Sequence, residues 1–125
     1  MELKQGDLEN IILNALWMTE EDDRDKIDVR DVQNKIRTEH QSWAYTTVKT
    51  VLDRLVDKEL VLRVKEGKKY LYRSVIDREH AGEEAIKKLV RQYFRNNYSD
   101  MISCAERLSL VDTEIKQLAT TVNLL

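Results

Sequence analysis

Near the middle of the chain lies the segment Ala44-Tyr45-Thr46-Thr47-Val48-Lys49-Thr50-Val51-Leu52-Asp53-Arg54-Leu55. Its core-forming apolar residues are Val48, Val51, Leu52 and Leu55. At about 100° per residue they fall on one narrow stripe, which is typical of an amphipathic helix packed on a core. The other face is mostly polar and contains Thr46, Thr47, Lys49, Thr50, Asp53 and Arg54. Such a face is suited to contacting phosphates and base edges, although an isolated polar helix face is more often simply solvated.

Two shorter helices are expected before this segment. Asp7 is a plausible N-cap for a first helix that continues to about Met18, with Trp17 closing the core at its end. Ile27 is expected to form a very short strand. Asp28 then caps a second helix that ends near Thr38, because Asp28 and a carboxylate three residues later resemble a capping box. Two helices joined by a short polar turn predict a helix-turn-helix.

A basic β-hairpin is expected directly after the central helix. Residues 60–65 alternate between apolar and other residues, with Leu60, Leu62 and Val64 on one face, and Glu66-Gly67-Lys68 supplies the turn before a second strand at residues 69–73. After a helix-turn-helix, such a hairpin is the wing of a winged helix. Its tip contains Lys65, Lys68 and Lys69, which we expect along a sugar-phosphate backbone. The alternative is a soluble hairpin whose lysines deter edge-to-edge aggregation.

The C-terminal third has helical periodicity only. One helix is expected over residues 78–96, a second contains Tyr98 to Leu108, and a third begins at the N-cap Asp112. A unit this small, with wide apolar faces, most simply buries them against a second copy of the chain. The predicted dimerisation residues are Ile86, Leu89, Val90, Tyr93, Phe94, Ile115, Leu118 and Val122. The sequence therefore predicts a mostly α protein with a small β-hairpin wing, divided into a winged-helix domain (1–77) and a helical dimerisation domain (78–125).

The charge of the chain is unevenly distributed. The total is −2, but residues 1–42 contain six Lys and Arg against eleven Asp and Glu, whereas residues 43–78 contain nine against five. Positive charge is thus concentrated around the central helix and the hairpin, and local charge sets the potential that a polyanion meets. The chain has no apolar run of the roughly 18 residues that span a bilayer, and no apparent signal peptide. We therefore expect a cytoplasmic protein without a membrane partner.

Residues that could support other chemistry are few. Cys104 is the single cysteine, which fits a reducing compartment and suggests a small buried hydrophobe more than a sensor. His40 and His80 lack further ligands at zinc spacing. Neither a phosphate-binding Gly-rich loop nor a nucleophile elbow is present. We expect no catalytic residues, no metal and no cofactor.

Several short motifs occur in order along the chain: Leu8-Glu9, Leu16-Trp17, Val29-Arg30-Asp31-Val32, Tyr45-Thr46-Thr47-Val48-Lys49-Thr50, Leu52-Asp53-Arg54-Leu55, Lys58, Glu66-Gly67-Lys68, Tyr70 and Tyr72. As a combined pattern, they resemble the penicillinase repressor (BlaI/MecI/CopY) family of bacterial transcriptional regulators. The resemblance extends over residues 5–75 and, more loosely, over the remainder.

The resemblance implies a homodimeric repressor that binds a palindromic operator in double-stranded DNA, with a recognition helix at about residues 45–58 in the major groove. By resemblance, the DNA-binding residues would be Tyr45, Thr46, Thr47, Lys49, Thr50 and Arg54 on the helix, with Lys65, Lys68 and Lys69 on the wing. The competing hypothesis is a winged-helix protein-interaction module without sequence-specific DNA binding.

Two departures from the family leave the inducing signal open. Members that respond to β-lactams are cleaved at an Asn-Phe bond, which would align near Cys104-Ala105, and this chain has no Asn-Phe dipeptide. Copper-responsive members have a pair of Cys-x-Cys motifs, and this chain has one cysteine. An unknown inducer or protease remains an expected partner.

Overall fold

The computed structural model describes residues 5–22, 24–39 and 42–124, with side chains for 6–22, 24–38 and 42–120. The elements in chain order are α1 (Gln5–Glu21), α2 (Val29–Glu39), α3 (Tyr45–Asp57), β1 (Val61–Glu66), β2 (Lys69–Ser74), α4 (Arg78–Tyr93) and α5 (Tyr98–Leu124). The predicted mostly α class with a β-hairpin wing is confirmed. The chain divides into two units, one ending at Ala81 and the other beginning at Gly82. Within the described ranges, no helix combines the length and apolar character needed to cross a membrane.

The core of the first unit lies where α1, α2 and α3 pack together. The predicted stripe of α3 is confirmed, since Val48, Val51, Leu52 and Leu55 are at most 2% exposed. From α1 and α2 the core receives Ile12, Leu16, Val32 and Ile36. Trp17 is buried, as predicted, and its indole N–H donates to the carbonyl oxygen of Ile76 at 2.9 Å. Helix α1 continues to Glu21, beyond the predicted end at Met18, and no Gly or Pro interrupts it there.

The start of α2 has the predicted capping box. The backbone N–H of Asp31 donates to Oδ1 of Asp28, and the backbone N–H of Asp28 donates to Oδ2 of Asp31, both at 3.0 Å. The predicted strand at Ile27 is wrong, because this residue forms no strand. It makes one strand-like contact, in which its carbonyl oxygen accepts from the backbone N–H of Tyr72 at 2.8 Å. The cap at Asp28 turns the chain into α2 directly afterwards, so the pairing stops there.

The wing is an antiparallel hairpin in which Val61 pairs with Ser74 and Glu66 with Lys69. Gly67 has a φ of 63° at the first position of the two-residue turn, where glycine reaches a positive φ without steric cost. The predicted apolar face faces outward: Leu62 and Val64 are 56% and 61% exposed, whereas their neighbour Val61 is 1% exposed. The opposite face of the hairpin is therefore the one that packs against the rest of the first unit.

The second unit contains most of α4 and all of α5. Helix α4 ends at Tyr93 because the chain enters a tight turn in which Arg95 and Asn96 have φ values of 52° and 62°. The backbone N–H of Asn97 closes this turn on the carbonyl oxygen of Phe94 at 2.8 Å, and the Asn97 side chain then accepts from the N–H of Asp100 at 3.2 Å.

The prediction of two helices after residue 98 is wrong, because α5 is one continuous helix of 27 residues. The predicted N-cap role of Asp112 is also wrong, because this residue lies inside the helix. Its carboxylate instead pairs with Lys116 one turn later, at 3.1 Å, a spacing that supports the helix interior. The chain between Tyr98 and Leu124 also contains no Gly or Pro that would end the helix.

Candidate nucleic-acid interface

The polar face of α3 is accessible in the first unit. Thr46, Thr47 and Thr50 are exposed, and Arg54 is half-buried beside them. Together with Leu8 of α1 they line a shallow cavity of about 250 Å³. Hydroxyl groups can therefore approach another surface closely, and the guanidinium of Arg54 is held near the same surface.

The N-terminus of α3 has no capping side chain. Ala44 occupies the N-cap position in extended conformation, and no side chain caps the helix there. Uncapped N–H groups at a helix start, with the positive end of the helix dipole, favour an anion such as a phosphate. The ring of Tyr45 is 44% exposed at this end, and the guanidinium of Arg30 on α2 lies 6.0 Å from its centroid. Arg30 was not among the predicted site residues.

The three predicted lysines of the wing are all exposed, and one of them forms an ion pair. Lys65 and Lys68 are exposed. Lys69 is also exposed, and its ammonium lies 3.4 Å from a carboxylate oxygen of Asp28. A second ion pair joins Lys26 to Glu66 at 2.7 Å. The strand ends beside the turn are therefore tied to the segment that precedes α2.

A carboxylate joins α3 to the wing, and sequence reasoning did not assign it this role. Oδ2 of Asp53 accepts from Nζ of Lys49 at 2.7 Å, and Oδ1 accepts from Nη1 of Arg63 at 3.0 Å and from the hydroxyl of Tyr72 at 2.8 Å. The ring of Tyr70 lies over the same cations, 4.6 Å from Arg63 and 5.6 Å from Lys49. We call these five residues the helix–wing junction.

The contacts of the junction shift the pKa values of Asp53 and Tyr72 in opposite directions. Partial burial raises the pKa of Asp53, but the hydrogen bonds from Lys49, Tyr72 and Arg63 outweigh it, so this pKa lies below its usual value. Burial, together with the hydrogen bond to Asp53, raises the pKa of the Tyr72 phenol well above its usual value. Asp53 is therefore a carboxylate at neutral pH and Tyr72 is a neutral donor to it.

Part of the junction has a signal in the sequence. Lys49 and Asp53 are four residues apart on one helix, a spacing that brings opposite charges together. The strand alternation also places Arg63 and Tyr72 directly opposite each other on one face of the hairpin. No local pattern, however, indicates that this face packs against Asp53.

The predicted dimerisation residues are mostly accessible in the single chain. Tyr93, Ile115 and Leu118 are 73%, 59% and 66% exposed, and Ile86 and Leu89 are 43% and 42% exposed. Phe94 is partly buried, Val90 is 1% exposed, and the side chain of Val122 lies outside the described residues. Apart from Val90 and Phe94, the described members thus present apolar surface that one protomer does not cover.

The potential metal ligands and the single thiol of the described residues do not come together in one site. The described part of the chain contains no group of three or more His, Cys, Asp and Glu residues arranged to hold a metal ion. Cys104 is a partly exposed free thiol, and His80 pairs with Asp77 at 2.8 Å. His40 lies outside the described residues.

These features define a winged-helix protein with a polar, accessible third helix and a basic wing. The chain belongs to the penicillinase repressor family, whose model matches residues 5–123. This confirms the resemblance found in the sequence, and the family is one of transcriptional regulators rather than enzymes.

Two similar proteins illustrate the relationship. The transcriptional regulator BlaI of Mycobacterium tuberculosis is 36% identical over 74 residues, which are 59% of this chain and 50% of that protein. The methicillin resistance regulatory protein MecI of Staphylococcus aureus is 20% identical over 113 residues, 90% of this chain and 87% of that protein. The matched part thus spans half the length of BlaI and most of MecI.

Proposed function

We propose that this protein is a homodimeric, cytoplasmic transcriptional repressor that binds palindromic operators in double-stranded DNA. In this proposal the first unit is the DNA-binding domain and the second the dimerisation domain. Helix α3 enters the major groove, and the wing follows the adjacent sugar-phosphate backbone. The observation that chiefly supports it is the exposed threonine face of α3 next to a basic wing, in a chain of the penicillinase repressor family.

The chemistry of α3 favours contacts with bases and phosphates together. Thr46, Thr47 and Thr50 offer hydroxyls that donate and accept, and the methyl of threonine can contact the methyl of thymine. Arg54 is the residue on this face that could contact guanine with two hydrogen bonds. The uncapped start of α3 and the lysines of the wing would supply sequence-independent phosphate contacts.

The exposed apolar faces of α4 and α5 support a dimer formed through the second unit. Leu108, Leu110, Ile115 and Leu118 of α5 are all more than half exposed. They lie within about 15 Å of one another along the helix axis, and monomeric proteins rarely expose large contiguous apolar patches. A second copy of the chain would cover it, and the two-fold symmetry of the dimer would match a palindromic operator.

Selection of duplexes from a randomised library, followed by titration of the selected fragment, tests the DNA-binding proposal. Replacing Arg54 by Ala should cost about 1–3 kcal/mol on the selected fragment and relax preference at one position. Thr47→Ala should also reduce discrimination. Replacing Lys68 by Gln should weaken all sequences alike and flatten the salt dependence. Binding that is indifferent to sequence, or to Thr47→Ala and Arg54→Ala, would refute the proposal.

Light scattering coupled to size exclusion tests the dimer. The wild-type protein should have twice the mass of one chain, and Ile115→Asp should shift it toward one chain, because a charge would be buried in the interface. Glu114→Gln, a substitution at a neighbouring charged position, is the control that should remain dimeric. A wild-type monomer without affinity for DNA would instead favour a protein-interaction module.

A further inference from the structure

We infer that Asp53 is a specificity-determining residue, which restrains Lys49 and Arg63 from binding phosphates indiscriminately. This inference rests on the proposed DNA-binding function and adds a role for an acidic residue on the recognition helix. Asp53 would not provide affinity. It would lower the affinity for DNA that lacks the operator sequence.

The geometry of the helix–wing junction supports a restraining role. Both carboxylate oxygens of Asp53 are engaged, one by Lys49 at 2.7 Å and the other by Arg63 at 3.0 Å. The Tyr72 hydroxyl, which donates to Oδ1 at 2.8 Å, fixes the carboxylate from a buried position. The two cations are 39% and 36% exposed, so they lie at the surface and yet are held.

The position of the junction makes this restraint relevant to DNA. It lies between α3 and the inner face of the wing, which are the two elements proposed to contact the groove and the backbone. Three cations converge there on the Tyr70 ring, since Nζ of Lys65 is also 6.0 Å from its centroid. Without Asp53 these would form a strongly positive patch. Such a patch would bind any phosphate backbone, because counterion release is independent of sequence.

A carboxylate at this position should distinguish two modes of binding. In complexes with DNA that lacks the operator, the sugar-phosphate backbone can approach α3 in many registers. Long, flexible Lys and Arg side chains then increase affinity by contacting whichever phosphate is nearest. Asp53 competes for those cations and repels the phosphate itself. In the operator complex α3 is docked in one register, where cations that are already ordered lose less side-chain entropy. Discrimination is thus increased by penalising the wrong partner.

The first experiment compares wild-type protein with Asp53→Asn on the library-selected duplex and on a random-sequence duplex of equal length. At 0.15 M salt, Asp53→Asn should bind the random duplex about three- to tenfold more tightly, with a salt dependence steeper by about 1–2 units of log–log slope per protomer. Affinity for the selected duplex should rise less, so the ratio of the affinity for the selected duplex to that for the random duplex should fall.

Asp57→Asn is the matched control for net charge. Asp57 is exposed at the end of the same helix and makes no ion pair with any residue the structure describes. Its substitution removes the same charge without releasing a cation, so the affinity ratio should stay close to that of the wild type. Equal effects of the two substitutions, or a loss of affinity in Asp53→Asn with an unchanged salt slope, would overturn the inference.

A second comparison does not depend on the folding of Asp53→Asn. If Asp53 restrains Arg63, then Arg63→Gln should flatten the salt dependence on random duplex much less than Lys68→Gln does, since Lys68 is exposed on the wing turn. Equal flattening would mean that Arg63 contacts phosphates in the wild-type protein. That result would overturn the inference about Asp53 but not the proposed DNA-binding function. A wild-type protein that shows no preference for any selected duplex would overturn the proposed function as well.

Discussion

Replacing Asp28 by Ala should destabilise the first unit by about 1–2 kcal/mol. The side chain of Asp28 caps α2 by accepting from the N–H of Asp31 at 3.0 Å, and removing such a cap costs about 1 kcal/mol. It also pairs with Lys69 at 3.4 Å. Because the Lys69 side chain is 72% exposed, that ion pair should contribute no more than about 0.5 kcal/mol.

Asp28→Ser separates the two contributions. Serine keeps a capping oxygen but lacks the charge, so its cost should be only a few tenths of a kcal/mol and should vanish at 1 M salt. The free energy of unfolding would be measured by urea denaturation at one protein concentration. If Asp28→Ser were as unstable as Asp28→Ala, the stabilisation would come from charge and the capping argument would be refuted.

The stabilisation by Asp28 should also depend on pH. Partial burial raises its pKa, but the Asp31 N–H and the Lys69 ammonium outweigh this, so the pKa lies below its usual value of 3.8. A carboxyl with a lowered folded-state pKa stabilises the protein as the anion. The contribution of the Asp28 carboxylate to the free energy of unfolding should therefore be complete at pH values above the usual pKa. It should disappear as the pH falls through the folded-state pKa. A wild-type advantage over Asp28→Ser that grew on acidification would contradict this.

Four further substitutions test the packing and the backbone. Leu52→Ala, at a side chain that is 0% exposed, should cost about 2–5 kcal/mol in urea denaturation. Leu62→Ala, at an outward-facing side chain that is 56% exposed, should change stability by less than about 0.5 kcal/mol; similar costs would contradict the assigned faces. Arg95→Gly should raise the melting temperature by relieving a φ of 52°, a gain of about 0.5–1 kcal/mol. Gly67→Ala, at a φ of 63° with open space around the added methyl, should lower the melting temperature, because backbone strain alone should cost about 1–2 kcal/mol. If both backbone substitutions shifted the melting temperature in the same direction, the strain argument would be wrong.

Features encoded by neighbouring residues were predictable from the sequence. The buried stripe of α3, the Asp28–Asp31 capping box and the glycine turn of the wing each depend on residues within one or two turns of each other. The continuity of α5 was not predictable, because an aspartate after an apolar run is equally suited to an N-cap and to an i,i+4 ion pair. The sequence alone therefore does not decide between these two states.

The helix–wing junction was missed for a different reason. Asp53 meets Arg63 and Tyr72 from 10 and 19 residues away, and such contacts follow from how the hairpin leans on α3. Strand alternation specified which side chains share a face, but it did not specify which face is inward. The apolar pair Leu62 and Val64 suggested the wrong one. The predicted DNA contacts on α3 and the wing remain predictions.

The uncovered apolar faces of α4 and α5 also bear on how such a regulator would respond to its own abundance. If these faces pair two chains, the dimer concentration varies with the square of the protomer concentration wherever dimerisation is weak. On an operator that is far from saturated, halving the amount of protein would then lower occupancy by about fourfold rather than twofold. A gene controlled in this way would be released sharply, over a narrow range of repressor dosage, even without cleavage or a metal ion.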